Sequence, residues 1–317
     1  MKSAAPIAFK RLIVLHNPGS SNAAKAQKLI SALRKTHPPH LAVAPTGQTE
    51  TENLALLKDL RAGDVVALFG GDGTISSFVD LLYHPSLPKR VRRAVFLPIG
   101  TGRMNDVARM LNGRHASSPL YALKHGRVLA VYPLECRCTP LGGKGQPLIK
   151  RVIYSVGFGY SGTCSLVWND PAFRAKVRTL TPVTRTVEFF KMGTGVLKEA
   201  EYFDITSERK RRPVLEVMIA NGHMIGGYYR LPTRLSQREF YLTISDDKSF
   251  LGTVRTIAEL VTNRFAGGQS VAAASFVLHD PVIAQLGGEP FTPPAPCEVT
   301  ISLCAEPIRM LATNPKA

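Results

Sequence analysis

Few groups that staple or anchor a chain occur in these 317 residues. There are five cysteines, at 136, 138, 164, 297 and 304, an odd count without a Cys-x-x-Cys pair. Cys136-x-Cys138 is too tight for the usual zinc knuckle, so reduced thiols are expected rather than a disulfide framework or structural zinc. No uncharged apolar run approaches the ~18 residues of a membrane span. Residues 1–10 hold no long apolar core ahead of Lys10 and Arg11, so no secretory signal is expected. The eight histidines show no His-Glu-x-x-His or other ligand spacing, and neither Gly-x-Gly-x-x-Gly nor the P-loop pattern occurs. Acidic groups are scarce: Asp and Glu number 23 against 40 Lys and Arg, a net charge of +17. That excess favours polyanions, whether nucleotide phosphates, anionic lipid headgroups or nucleic acid. Basic motifs interleaved with aromatics are missing, so no specific nucleic-acid binding is expected.

What remains is an ordinary globular composition, 44% hydrophobic and 20% charged, long enough for two domains. From Arg11 to about Leu111, buried-strand runs alternate with glycine turns and helical periodicity. The runs are Leu12–Leu15, Val65–Phe69 and Ala94–Pro98. A turn over 17–22, Gly70-Gly71-Asp72-Gly73-Thr74 and Gly100-Thr101-Gly102 follow them in that order. Strand, turn and helix in repetition predict a parallel sheet with right-handed crossovers. Beyond about Arg127, short β-branched or alternating runs at 152–156, 214–220, 240–244, 271–278 and 299–303 predict a β-rich, sandwich-like domain. One helical stretch at about 171–200 interrupts it. The fold class is therefore α/β with two domains: 1–127, rejoined by 305–317, and 128–304 with the helical insert.

In a parallel sheet the three turns open at one carboxyl edge, where ligands of open α/β sheets bind. Glycines let backbone amides approach an anion, and the following helix offers its positive end. A carboxylate inside such a loop repels phosphate unless a cation or water mediates, so Asp72 reads as metal-facing, with a plain capped turn as the alternative.

Three segments carry a resemblance: Asn17-Pro18, Gly70–Thr74, and Pro98-x-Gly100-Thr101 leading to Asn105-Asp106-x-Ala108-Arg109. In order and spacing they resemble the diacylglycerol kinase catalytic-domain family, which includes bacterial soluble lipid kinases and sphingosine kinases, with NAD kinases as distant relatives. Asn221-Gly222 with Gly226-Gly227, Gly287-Gly288-Glu289-Pro290 and the segment from Glu306 to Leu311 extend the likeness to nearly the whole chain. The resemblance implies ATP-dependent transfer of the γ-phosphoryl group to a lipid hydroxyl, using Mg2+. It implies that Asn17, Ser20, Thr46, Gly70, Gly71, Gly73, Thr74, Thr101 and Asn105 contact nucleotide. Asp72 would serve the magnesium–phosphate network, and Glu289 would be the base for the acceptor hydroxyl.

The chain departs from the family pattern in four places. Between Pro98 and Asn105 it is about two residues longer, so either Thr101 or Arg103 takes the loop position. Ser236-Gln237 replaces an Asp-Gly, which puts a structural metal site in doubt. Tyr132-Pro133 stands where many members carry an aspartate, and Gly287 replaces the aspartate of Asp-Gly-Glu. Phosphorylation of NAD or another soluble acceptor, and a catalytically silent nucleotide- or lipid-binding protein, therefore stand beside the lipid kinase.

The expected partners are a lipid substrate and an anionic membrane surface, bound reversibly from the cytoplasm, and a homodimer is left open. Trp168, Phe189-Phe190 and Tyr228-Tyr229 are candidates for an acyl pocket or plain core. Two substitution effects are expected at this point. Asp72→Asn, at a supposed exposed loop tip, moves stability by about 0.5 kcal/mol or less, and Gly287→Asp is neutral or mildly activating.

Overall fold

The computed structural model describes residues 9–20, 22–36, 41–102, 105–143, 145–225, 229–246 and 268–317. Arg103 and Met104, Gly226 to Tyr228, and the side chain of Phe190 lie outside the described set.

The first domain is built on β1 (Arg11–His16), β2 (Leu41–Pro45), β3 (Asp64–Gly70), β4 (Val95–Gly100) and β5 (Arg127–Val131). Its helices are α1 (Ala23–Thr36), α2 (Glu50–Lys58), α3 (Asp72–Leu81), α4 (Asp106–Asn112) and α5 (Pro119–His125). Every residue of β3 and β4 is buried, as their unbroken apolar runs require of central parallel strands. β2 is half-exposed and β5 mostly exposed, which is why neither reads as a strand from sequence. α2 begins at a capping box in which the Thr49 hydroxyl accepts from the Glu52 amide and the Glu52 carboxylate accepts from the Thr49 amide.

The second domain contains β6 (Leu134–Pro140), β7 (Leu148–Val152), β8 (Ser155–Gly159), α6 (Tyr160–Asn169), α7 (Pro171–Arg178) and α8 (Pro182–Glu199). It continues with β9 (Phe203–Ser207), β10 (Lys210–Val214), β11 (Glu216–Ala220), β12 (Met224–Ile225), β13 (Tyr229–Arg230), β14 (Phe240–Ser245) and β15 (Gly268–Val271). Then follow β16 (Ala273–Leu278), β17 (Ala284–Leu286), β18 (Glu289–Phe291) and β19 (Cys297–Leu303), and β20 (Ile308–Ala312) closes the chain. The first sheet runs β2-β1-β3-β4-β20-β5, parallel except where β20 meets β5. β20 thus returns to the first domain. β5 also belongs to its sheet, so the crossing to the second domain falls after Val131 rather than at 127.

Two antiparallel sheets, β10-β9-β16-β19-β6-β7 and β15-β14-β11-β8-β17-β18, enclose one apolar core that includes Phe158, Ile205, Val217, Phe240 and Val299. Three runs that read as single strands are each split. Ile153-Tyr154, Leu215 and Ala272 carry the chain from one sheet to the other, between β7 and β8, β10 and β11, and β15 and β16. The apolar run is continuous because both halves face the same core.

The helical insert likewise starts earlier than expected, at Tyr160, and is three helices. Its breaks are Asp170-Pro171 and Thr181-Pro182. Each cap accepts an amide, from Phe173 and Thr184 respectively, and each proline takes the first helical position.

Candidate nucleotide and phosphoryl-transfer site

Four chain segments meet at the carboxyl edge of the first sheet: 17–20, 46–47, 70–74, and 100–102 with Asn105. Glycine is required where two of them touch, because a Cβ on Gly102 would overlap the Gly71 Cα. Side chains then tie the segments together. Asn17 Nδ2 donates to Thr74 Oγ1 at 2.9 Å, and Ser20 Oγ donates to the Thr101 carbonyl at 2.6 Å. Asn105, at φ 56°, closes its own loop by accepting from the Gly102 amide at 2.8 Å and donating to the Gly102 carbonyl at 2.7 Å. Thr46 joins the edge through its amide, which donates to the His16 carbonyl at 2.9 Å.

This arrangement changes the role of some sequence-assigned residues. The Thr101 side chain is wholly buried and within 3.1 Å of the Ser20 hydroxyl, so it builds the loop instead of facing the cleft. Asn17, Ser20, Thr74 and Asn105 hold the cradle in shape, while Gly71, Gly73 and the start of α3 line it with backbone. A loop whose amides are already fixed binds an anion without further ordering.

Asp72 is not an exposed loop tip. It is the first residue of α3, 8% exposed, and its two oxygens accept from the Asp106 amide at 2.9 Å and the Val107 amide at 3.0 Å. It therefore caps α4, whose own N-cap Asn105 makes no side-chain cap bond. Burial pushes the Asp72 pKa up, and the two amides and the charge of Arg109 pull it down. Among the described residues, no three Asp, Glu, His or Cys side chains are grouped to hold a metal ion.

Glu289 comes from the second domain. The two-residue turn Gly287-Gly288 joins β17 to β18, with φ of 59° and 89°, conformations that favour glycine. The turn is gripped from α6: Ser165 Oγ and Asn169 Nδ2 both donate to the Gly288 carbonyl, at 2.7 and 2.9 Å, while the Gly288 amide donates to Gln285 Oε1 at 2.7 Å. So held, the Glu289 carboxyl lies against the 70–74 glycine loop, where a Cβ on Gly73 would overlap its Oε1. Glu289 keeps solvent access, yet the protein around its carboxyl raises its pKa, and the charge of Arg174 on α7 opposes the rise.

Gly287 sits over α3 in the same way, and a Cβ there would overlap Ser76 Oγ. Against the expectation that Gly287→Asp is neutral or mildly activating, the positive φ and the nearness of Ser76 strain a side chain there, so the substitution should destabilise the turn.

Sequence reasoning missed Ser76, Ser165, Asn169 and Arg174, since nothing in their spacing marks them. Ser236 Oγ donates to the Ala317 carbonyl at 3.2 Å, tying down the last residues, and Gln237 Oε1 accepts from the Arg234 amide to cap its own turn. Asn221 braces the domain junction through the Tyr132 and Ile153 carbonyls. Trp168 stacks on Phe189 at 4.3 Å and meets Phe173 edge-on at 5.9 Å, joining the three helices of the insert. Beside them an apolar groove of about 780 Å³ runs between α6 and α7, past Leu166, Val167, Pro171 and Phe173. No helix among the described residues is long and apolar enough to cross a membrane.

An α/β domain and a β-sandwich that meet at a glycine-rich anion loop have the architecture of a lipid- or NAD-kinase-like fold. Residues 11–133 match the family model of the diacylglycerol kinase catalytic domain. Its fold is similar over its full length to a diacylglycerol kinase from Bacillus anthracis str. Sterne. That likeness has a TM-score of 0.67 and 15% identity, and covers 98% of each chain. Yeast NADH kinase, solved with NADH, is a more distant likeness, with a TM-score of 0.52 and 11% identity over 97% of this chain and 84% of that one. No curated protein matches the chain by sequence.

Proposed function

We propose that the protein transfers the γ-phosphoryl group of ATP to the hydroxyl of a lipid acceptor of the diacylglycerol type. The observation that carries this reading is the meeting of Glu289 with Gly73. A carboxyl from one domain reaches the backbone cradle of the other, where a phosphate chain and an attacking hydroxyl would converge. The preformed amides of 71–73 and the positive end of α3 would hold the phosphates. Glu289, with its raised pKa, takes the hydroxyl proton while the acceptor oxygen bonds to the γ-phosphorus. The bridging oxygen leaves with its electron pair as ADP.

With no cage of three carboxylates among the described residues, the site fits Mg2+ carried on the nucleotide phosphates and reached through water, with Asp72 nearby. Magnesium held there would supply charge neutralisation. The apolar groove beside α6 and the +17 charge support an acceptor taken from an anionic surface rather than from solution.

The test is labelled ATP with diacylglycerol, other lipids and NAD as acceptors. Lipid phosphorylation is expected, and Glu289→Gln should lower kcat on the order of 100- to 10,000-fold with ATP affinity little changed. Phosphate found on NAD alone favours the soluble-acceptor reading. ATP binding without transfer to any acceptor refutes the kinase. Vesicle sedimentation is a second check. Binding to anionic vesicles should weaken in high salt, with roughly 1 kcal/mol per basic residue near the surface.

A further inference from the structure

Helix α3 carries two distinct faces. Ile75, Phe78 and Val79 are buried in the core of the first domain. Gly73, Ser76 and Asp80 recur at intervals of three and four residues, which puts them on one stripe. All three meet the second domain. Gly73 lies under Glu289, Ser76 lies under Gly287, and Asp80 is bonded to β7.

The Asp80 contact is built from both sides. Its Oδ2 accepts from Lys150 Nζ at 3.1 Å and its Oδ1 from the Arg151 backbone amide at 3.0 Å. The Arg151 guanidinium donates through Nε to Glu135 at 2.9 Å and lies over the Tyr83 ring at 5.3 Å, while Arg92 lies 4.9 Å from the same ring. Arg92 in turn is paired with Glu306, beyond β19. A network of this size at one end of a ten-residue helix, with the phosphate cradle at the other, couples the two ends through a rigid rod of about 15 Å.

We propose that Asp80 is a positioning residue: by tying the far end of α3 to β7 it sets how closely the phosphate loop approaches Glu289. This rests on the reading of Glu289 as the base. The Asp80–Lys150 pair is partly solvated, with side chains 23% and 44% exposed, so it contributes little to stability. Its effect is geometric. The groups in electrostatic reach of Glu289 are Arg174 on α7, which holds its pKa down, and Tyr154, itself close to Asp72 and Asp106. Loosening α3 withdraws the crowding that raises the Glu289 pKa.

The experiment uses the full chain with Asp80→Ala, Asp80→Asn and Lys150→Gln. Three readings are taken: ATP affinity, transfer from ATP to dioctanoylglycerol, and titration of the Glu289 carboxyl by carbon-13 NMR, assigned with Glu289→Gln. For Asp80→Ala, ATP affinity should stay within about twofold while kcat falls roughly tenfold. Asp80→Asn, which keeps an acceptor for the Arg151 amide, should fall less. The Glu289 titration should move down, toward the ordinary carboxylate range.

An unmoved Glu289 titration in folded Asp80→Ala overturns the proposal, as does a loss of kcat that only follows thermal stability. If Asp80→Ala does not fold, Asp80→Asn and Lys150→Gln carry the same three readings. If the titration moves as expected but wild-type protein phosphorylates no acceptor, the functional reading fails and the positioning role stands.

Discussion

Replacing Asp72 by asparagine keeps the size of the side chain and removes one of its two acceptors. In the native fold both carboxylate oxygens accept backbone amides at the start of α4, at 2.9 and 3.0 Å, in a site 8% exposed. Asparagine can accept from one amide only, and its NH2 then faces the other donor. A lost helix cap costs about 0.5–2 kcal/mol, and a buried donor left unpaired costs about 1–3 kcal/mol. The two overlap in part, so about 2–3 kcal/mol is expected for Asp72→Asn.

For a chain of this size that corresponds to a fall in Tm of about 3–5 °C. Scanning calorimetry with far-UV circular dichroism measures it, on wild type and variant without nucleotide. Transfer activity should collapse as well, because α4 follows directly on Asn105 of the cradle. A Tm within about 2 °C of wild type would refute the capping argument, since a buried carboxylate with two amide partners cannot be replaced at no cost. Lost activity at unchanged Tm would instead assign Asp72 to the phosphate network alone.

Gly73→Ala should leave ATP binding largely intact and lower kcat by roughly tenfold or more, because the new Cβ displaces the Glu289 carboxyl. Steady-state kinetics against diacylglycerol reads it, and an unchanged kcat would separate Glu289 from the loop. Gly287→Asp should destabilise by about 1–3 kcal/mol through the overlap with Ser76 and the positive φ, as a urea midpoint would show. Glu216 is buried with its carboxylate accepting from the Ser161 amide at 2.7 Å, and burial pushes its pKa up to about 8 from the ordinary 4.5. The fold therefore prefers the neutral acid, and that contribution is fully present below pH 4.5 and lost as pH rises through about 8. Wild-type Tm should decline between pH 5 and 9 by roughly a few degrees more than that of Glu216→Gln; parallel declines would show that Glu216 titrates normally.

Much of the site was legible because its chemistry is local. Buried-strand runs end in glycines at 70–73 and 100–102, and a parallel sheet must bring such turns to one edge, so the cradle follows from pattern alone. Glu289, by contrast, is marked only by the resemblance of its segment to the diacylglycerol kinase family.

The sequence by itself determined the two-domain division, the central strands β3 and β4 and the residues of the anion loop, because burial on both faces and glycine turns leave direct marks in a chain. It did not determine which polar side chains face the cleft. Asp72 reads as a loop-tip carboxylate until α4 is seen to place two amides on it, and Thr101 reads as a ligand contact until Ser20 is seen to bury it. Lys150 and Arg151 read as a charge cluster until Asp80, seventy residues earlier, is found opposite. Those assignments depend on partners distant in sequence, and only the packed fold brings the two ends of each bond together.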